Sequence, residues 1–220
     1  GTDYGEYAGR EVSQAGDANG DGFDDVLVSA YKADVNGYSG AGQSFLIFGQ
    51  AAGFAAVLDY TALDSTEGAR IDGPEDNDAF FGEALSGGGD INGDGFDDLI
   101  VGAYNADLPG GTYSGQVSVI FGFDSGAVTD QGTAGADTLD GSVGVDVMIG
   151  GQGDDVLIGG GGADVLRGGS GADILSIADN TFQKVDGGLG TDTLRLAGAG
   201  QAIDFTAVGD QNVRSIEAID

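Results

Sequence analysis

Four oxygen-bearing side chains recur at one spacing in two places: Asp17, Asn19, Asp21 and Asp25, then Asp90, Asn92, Asp94 and Asp98. Each set fills the first, third, fifth and ninth places of a loop, and glycine follows the fifth place in both, at Gly22 and Gly95. Such a pattern suits a hard cation taking about six to eight oxygens at about 2.3–2.6 Å, with a main-chain carbonyl at the seventh place. That place is Phe23 in one copy and Phe96 in the other. Gly20, Gly22, Gly93 and Gly95 let the backbone wrap an ion with positive φ at little steric cost. The chemistry expected is therefore binding of Ca2+. An Asp/Asn turn that binds nothing is the plain alternative. Recurrence of all four ligand types argues against it, as does the mutual repulsion of carboxylates clustered without a cation.

The loops lie inside a longer repeat. Residues 16–31, GDANGDGFDDVLVSAY, and 89–104, GDINGDGFDDLIVGAY, agree at 12 of 16 positions, within a gapless alignment of 7–49 on 80–122 at an offset of 73. An EF-hand would carry a bidentate Glu at the twelfth place, between helices. Here that place is Val28 or Val101, inside the β-branched runs DVLVSAY and DLIVGAY, which read as strands. The EF-hand is excluded, and each loop opens a β-strand. A second strand follows in each copy, GQSFLIFG at 42–49 and GQVSVIFG at 115–122. Between the copies, GARIDG at 68–73 reads as a further strand preceding the second repeat, which then has the strands of a propeller blade. Nothing comparable precedes the first repeat, so the chain is expected to begin inside a blade.

These features resemble the FG-GAP repeats of integrin-α-type β-propellers. The resemblance rests on Phe81-Gly82, degraded to Ala8-Gly9 in the first copy, on the paired GDxNGDGFDD loops and on the SAY and GAY strand ends. It implies one calcium per loop. Such propellers close with more blades than two, so strand edges here must be covered by further chain or another molecule.

From residue 132 the period falls to nine. The rungs GTAGADTLD, GSVGVDVMI, GGQGDDVLI, GGGGADVLR and GGSGADILS fill residues 132–176, and a sixth, GGLGTDTLR at 187–195, follows ten inserted residues. They resemble the GGxGxDxUx nonapeptide of secreted RTX proteins, which implies a parallel β-roll of glycine turns and short strands. Leu139, Met148, Leu157, Leu166, Leu175 and Leu194 then stack inward. Like turns fall two rungs apart, so Asp137 with Asp155, Asp146 with Asp164, and Asp155 with Asp173 face one ion each. Asp192 belongs to the same set, and backbone carbonyls at Gly150, Gln152, Gly159 and Gly161 complete it. Thr133 and Ser142 replace the second glycine of the first two rungs, which weakens their sites. A glycine-rich linker has no reason to place Asp and Leu at period nine. Strand-like pieces at 193–196, 202–205 and 213–219 then cap the roll, as a solenoid's last rung requires. Arg195 and Arg214 are expected to be solvated or paired with nearby Asp.

Composition fits cation binding. Seven Lys and Arg against 37 Asp and Glu give a formal charge of −30, which opposes nucleic acid and anionic membrane as partners. The chain has no Cys and no His, which removes thiolate chemistry and the commonest general base. No apolar run approaches the length of a membrane span, so no membrane insertion is expected, and no signal peptide is visible.

The expected fold is all-β: two propeller-like antiparallel blades over residues 1–131, then a parallel β-roll with a β cap over 132–220. The expected function is a calcium-dependent structural or adhesive module, secreted to the outside or surface of a bacterial cell. Its partners are calcium and other copies of itself or cell-surface and matrix components, in a filament or surface layer. The alternative is a non-catalytic fragment of a larger secreted RTX enzyme or toxin. Neither GxSxG nor HExxH occurs, so catalysis would fall to spare carboxylates such as Glu6, Glu67, Glu75 or Glu83.

Overall fold

The computed structural model describes residues 7–54, 58–107, 111–197, 202–204, 206, 208–209 and 212–220. The described residues divide into two compact units, Gly1–Ala18 with Phe23–Gly89 and Asp97–Gly122, and Asn19–Gly22 with Asp90–Phe96 and Phe123–Asp220. The tips of both GDxNGDG loops thus fall in the second unit. Apart from one 3-10 turn, Tyr60–Ala62, the regular elements are strands.

In the first unit β1 (Val12–Gly16), β2 (Asp25–Ala30), β3 (Gln43–Ile47) and β4 (Gly68–Asp72) form a four-stranded antiparallel sheet in that order. A second antiparallel sheet holds β5 (Ala84–Gly89), β6 (Asp98–Ala103) and β7 (Gln116–Ile120). Alternation along β2 and β6 turns Leu27, Leu99 and Val101 into a shared core with Leu46, Phe48 and Phe81. A buried Leu of this kind stabilises by about 1.5–3 kcal/mol.

Two details differ from the reading of the sequence. GARID is the fourth strand of the first sheet, with Phe45 opposite Arg70 and Leu46 opposite Ala69, rather than the leading strand of the second. Its neighbour in space is the strand before it in the chain, and order along the chain did not reveal that. The strands β1 and β5 were also unforeseen, because VSQAG and ALSGGG are too poor in large apolar residues to show a strand pattern. Each carries a bulge at the same repeat position, Gln14/Gly16 and Gly87/Gly89. The glycines there take φ +68° and +65°, which bends the chain out of the strand and into the Asp loop. The loop is therefore the turn of a β1–β2 or β5–β6 hairpin.

The second unit is a parallel β-roll. Strands β8 (Asp130–Gln131), β9 (Thr138–Asp140), β10 (Val147–Gln152), β11 (Val156–Gly160), β12 (Val165–Gly171), β13 (Ile174–Ile177), β14 (Lys184–Gly190), β15 (Thr193–Leu196), β16 (Val213–Arg214) and β17 (Ala218–Ile219) alternate between two five-stranded parallel sheets. In one sheet Met148, Leu166 and Val185 are in register, and in the other Leu139, Leu157, Leu175, Leu194 and Ile219. All except Leu139, Val185's partner Val213 and Ile219 sit in the fully buried stack of the roll, and Leu139 and Val213 pack against it.

Val185 shows that the apparent insertion after residue 176 is itself a rung. It lies ten residues beyond Leu175 and nine before Leu194, with IADNTFQ in place of the glycine turn. The turn sequence was lost while the strand and its inward side chain remained. At the C-terminus, residues 213–219 do not form one strand but split into β16 and β17, one for each sheet. Residues 202–204 are not in a strand, and Phe205 lies outside the described residues. Arg195 pairs with Asp220 at 3.7 Å.

Leu166→Ala should destabilise the calcium-loaded roll by about 2–5 kcal/mol. Val185→Ala should destabilise it by less but measurably, as read from urea denaturation; no loss would mean that residues 177–186 are an insertion and not a rung.

Candidate functional site

The two hairpin loops are built alike. Gly20 and Gly22 have φ +75° and +91°, and Gly93 and Gly95 have +75° and +88°. In the second loop Asp90 accepts three backbone N–H groups, from Gly93 (2.7 Å), Asp94 (3.0 Å) and Gly95 (2.8 Å). Burial nonetheless pushes its carboxyl above the usual range. The amide of Asn92 donates to Asp94 Oδ2 at 2.7 Å, as that of Asn19 does to Asp21 Oδ2 at 3.0 Å. Asp94 Oδ1 also accepts the N–H of Phe96. Asp17 and Asn19 are buried, and in the second loop Asp90 and Asn92 both accept the backbone N–H of Asp94.

Asp25 and Asp98, at the ninth place, have a second task. Asp25 accepts the N–H groups of Gly49 (2.9 Å) and Ala18 (3.0 Å), and Asp98 accepts that of Gly122 (2.9 Å). Each ties the loop to the far end of its repeat's last strand. A carboxylate oxygen has further lone-pair sites, so this staple leaves room for a cation. Asp97, outside the expected ligand set, accepts the N–H of Asp17 at 2.7 Å, a link that only the packing of the two repeats reveals.

In the roll the expected pairs are brought together by a relay. The N–H of Asp137 donates to Asp155 Oδ1, that of Asp146 to Asp164, that of Asp155 to Asp173 and that of Asp173 to Asp192, all at 2.8–3.0 Å. The other oxygen of each group divides the set. In Asp137 and Asp146, Oδ2 accepts the N–H of Thr133 (2.6 Å) and Ser142 (2.8 Å), with the hydroxyls of the same two residues also donating. In Asp155, Asp173 and Asp192, Oδ2 is buried with no hydrogen-bond partner. The second glycine of these later turns brings no side-chain donor, whereas Thr133 and Ser142 satisfy their carboxylates locally.

Carbonyl oxygens crowd the same positions. A Cβ on Gly150 would lie 2.5 Å from both Asp155 Oδ2 and Gly168 O, and one on Gly168 would meet Asp173 Oδ2 and Gly187 O. Gly150 O stands likewise beside Gly132, with Asp137 Oδ2, and Gly159 O beside Gly141, with Asp146 Oδ2. Gly168 and Gly187 were missing from the expected carbonyl set; the 18-residue period from Gly150 pointed to Gly168, whereas Gly187 lies 19 residues further on. Gly161 donates to Ser142 O and stands beside Asp179, and the side chain of Gln152 donates to Asn92 O at 3.1 Å within the second unit.

Burial is the first cause that raises the carboxyls of Asp155, Asp164, Asp173 and Asp192, with Asp173 pushed up to about 6. Asp137, half-buried and hydrogen-bonded to Thr133, is lowered. Buried carboxylate oxygens without donors, set beside carbonyl oxygens, suit a hard divalent cation, which supplies the missing charge and accepts an all-oxygen donor set. No three carboxylates converge on one point among the described residues. In the roll, the oxygens brought together are those of one or two carboxylates and of backbone carbonyls.

Comparison with known proteins finds two repeat families in the chain. The FG-GAP repeat matches residues 8–47 and 81–120, and the RTX calcium-binding nonapeptide repeat matches 131–157 and 140–175. Integrin alpha-IIb of Mus musculus and of Homo sapiens are each 36% identical over 103 residues, covering 47% of this chain. Integrin alpha-5 of Xenopus laevis is 32% identical over 105 residues, covering 48%. In each case the alignment spans only 9% of the relative's length.

A pH dependence follows for the metal-free protein. Carboxyls whose folded pKa is raised bind protons more tightly when folded, so their contribution is favourable below the unfolded value of about 3.9 and is lost as pH rises through the folded value, about 6 for Asp173. Metal-free protein should therefore melt higher at pH 5 than at pH 7.5 by circular dichroism; an equal or lower melting temperature at pH 5 would contradict the burial of these groups.

Proposed function

We propose that this chain, which carries two FG-GAP repeats followed by RTX calcium-binding nonapeptides, is a calcium-dependent structural and adhesive module of a secreted or cell-surface bacterial protein. The observation that carries the proposal is the row of buried, donorless Oδ2 atoms at Asp155, Asp173 and Asp192. Each costs free energy unless a cation occupies the space beside it. The proposed ligands are the aspartates and turn carbonyls of the roll and, in the hairpin loops once a cation draws their carboxylates together, Asp17, Asn19, Asp21, Asp25 and the Phe23 carbonyl with their counterparts at Asp90, Asn92, Asp94, Asp98 and Phe96. We treat residues 1–131 and 132–220 as the two modules of this design.

Several features favour a structural over a catalytic role. Glu67 accepts the N–H of Asp64, Glu75 lies at 3.5 Å from the Tyr38 hydroxyl, and Glu83 pairs with Arg10. The polar side chains that stand out are already engaged in shaping loops and turns. No helix of the described residues is long and apolar enough to cross a membrane. Both repeat families are typical of extracellular proteins, and the likeness of the blades to integrin alpha chains favours contacts with other proteins.

Contacts between copies have a candidate surface in the edge of β7. The equivalent strand β3 is covered by β4, whereas β7 pairs only with β6 among the described residues. Val117 is 70% exposed, and Val119 and Phe121 are exposed beside it. An open strand edge with apolar side chains is a template for a further strand.

Extracellular modules bind calcium with dissociation constants of about 10⁻⁴ to 10⁻³ M, so millimolar calcium fills such sites and submicromolar calcium does not. A site held at ten times its dissociation constant adds roughly 1.4 kcal/mol, and several together rival the stability of a domain. The full chain should gain strand content on addition of millimolar calcium and lose it in chelator, as seen by circular dichroism; identical spectra would defeat the proposal. Light scattering checks the adhesive part: calcium should produce species larger than the 21.8 kDa chain, and a monomer at high concentration would exclude self-association.

A further inference from the structure

Asp192 is the last aspartate of the nonapeptide pattern, yet its turn is not the end of the roll. Residues 213–219 add β16 and β17 with no GGxGxD sequence ahead of them. On the edge that carries Asp137, Asp155 and Asp173, every aspartate obeys one arrangement. Its N–H donates to the acidic side chain of the next turn on that edge, and its own Oδ2 shares the space beside the first glycine of its turn with a carbonyl oxygen from that next turn.

The arrangement continues past the repeats. Asp192 N–H donates to Glu217 Oε2 at 2.7 Å, so Glu217 takes the acceptor place that an aspartate holds elsewhere. A Cβ on Gly187 would meet Ser215 O and Asp192 Oδ2, as one on Gly168 would meet Gly187 O and Asp173 Oδ2. Ser215 reaches this position with φ +49°, a left-handed conformation uncommon for a residue other than glycine. Asp192 is fully buried, and its Oδ2 has no hydrogen-bond partner.

We propose that Asp192, Glu217 and the Ser215 carbonyl form a further divalent-cation site, taking calcium, that fastens the C-terminal residues 213–219 to the roll. It rests on the calcium reading of the nonapeptide turns and extends it to residues outside them. A purely structural Glu217 would need only to accept one N–H. That role leaves Asp192 Oδ2 unexplained and sets two carboxylates side by side with nothing between them.

Glu217→Gln separates the two roles, because the amide oxygen still accepts the N–H of Asp192 while the charge is gone. In calorimetric titration of the full chain the variant should bind one calcium ion fewer than the wild type. Hydrogen exchange at 213–219 in millimolar calcium should quicken at least tenfold, with 147–177 unchanged. In the wild-type chain, protection of 213–219 should itself rise on addition of calcium. Equal stoichiometry and equal protection in the two proteins would overturn this site alone, as would wild-type protection of 213–219 that is indifferent to calcium. A wild-type chain that takes up no calcium would overturn the broader reading together with it.

Discussion

A carboxylate that is buried on one oxygen and tied by a backbone N–H on the other is the constraint on which the roll depends. The N–H to Oδ1 relay sets the distance between turns two rungs apart, and so holds both sheets in register. The same relay draws like charges together in a chain of formal charge −30. Stacked apolar side chains, joined at one end by Ile177 and Phe182, supply the apolar contribution, but buried charge at every turn opposes it. Attraction to a cation is what makes the arrangement favourable.

The hairpin loops hold their carboxylates differently, with both oxygens of Asp25 and of Asp90 accepting backbone N–H groups. Their bulges at Gly16 and Gly89 aim the chain into a tight loop, and Asp25 and Asp98 fasten that loop to the far end of the repeat. Loop geometry and sheet are thus coupled within each repeat. A change in the loop is felt at the end of the strand, because the same aspartate side chain belongs to one and holds the other.

Much of this was legible in the sequence because ligand chemistry and glycine conformation are local. Positive φ at Gly20, Gly22, Gly93 and Gly95 and the inward Leu at period nine follow from residue types alone. What stayed hidden were properties of strands whose side chains say little. The strands β1 and β5 consist largely of Gly, Ala and Ser, and the edge partner of GARID depends on which neighbour offers an open edge. The rung at Val185 was concealed because a glycine turn is the visible part of the motif, and that rung kept only its strand. The difference between Asp137 or Asp146 and Asp155, Asp173 and Asp192 was visible in Thr133 and Ser142, but its cause, a donor for Oδ2, exists only once the turn is folded.

The rung that lost its glycine turn also makes the two margins of the roll unequal. One margin runs through Asp137, Asp155, Asp173 and Asp192 to Glu217, while the other ends at Asp164, with Gln183 where the next aspartate would fall. The first margin therefore carries five acidic turn side chains and the second two, Asp146 and Asp164, so the acidic groups of the turns are shared unequally between the two sides of the roll.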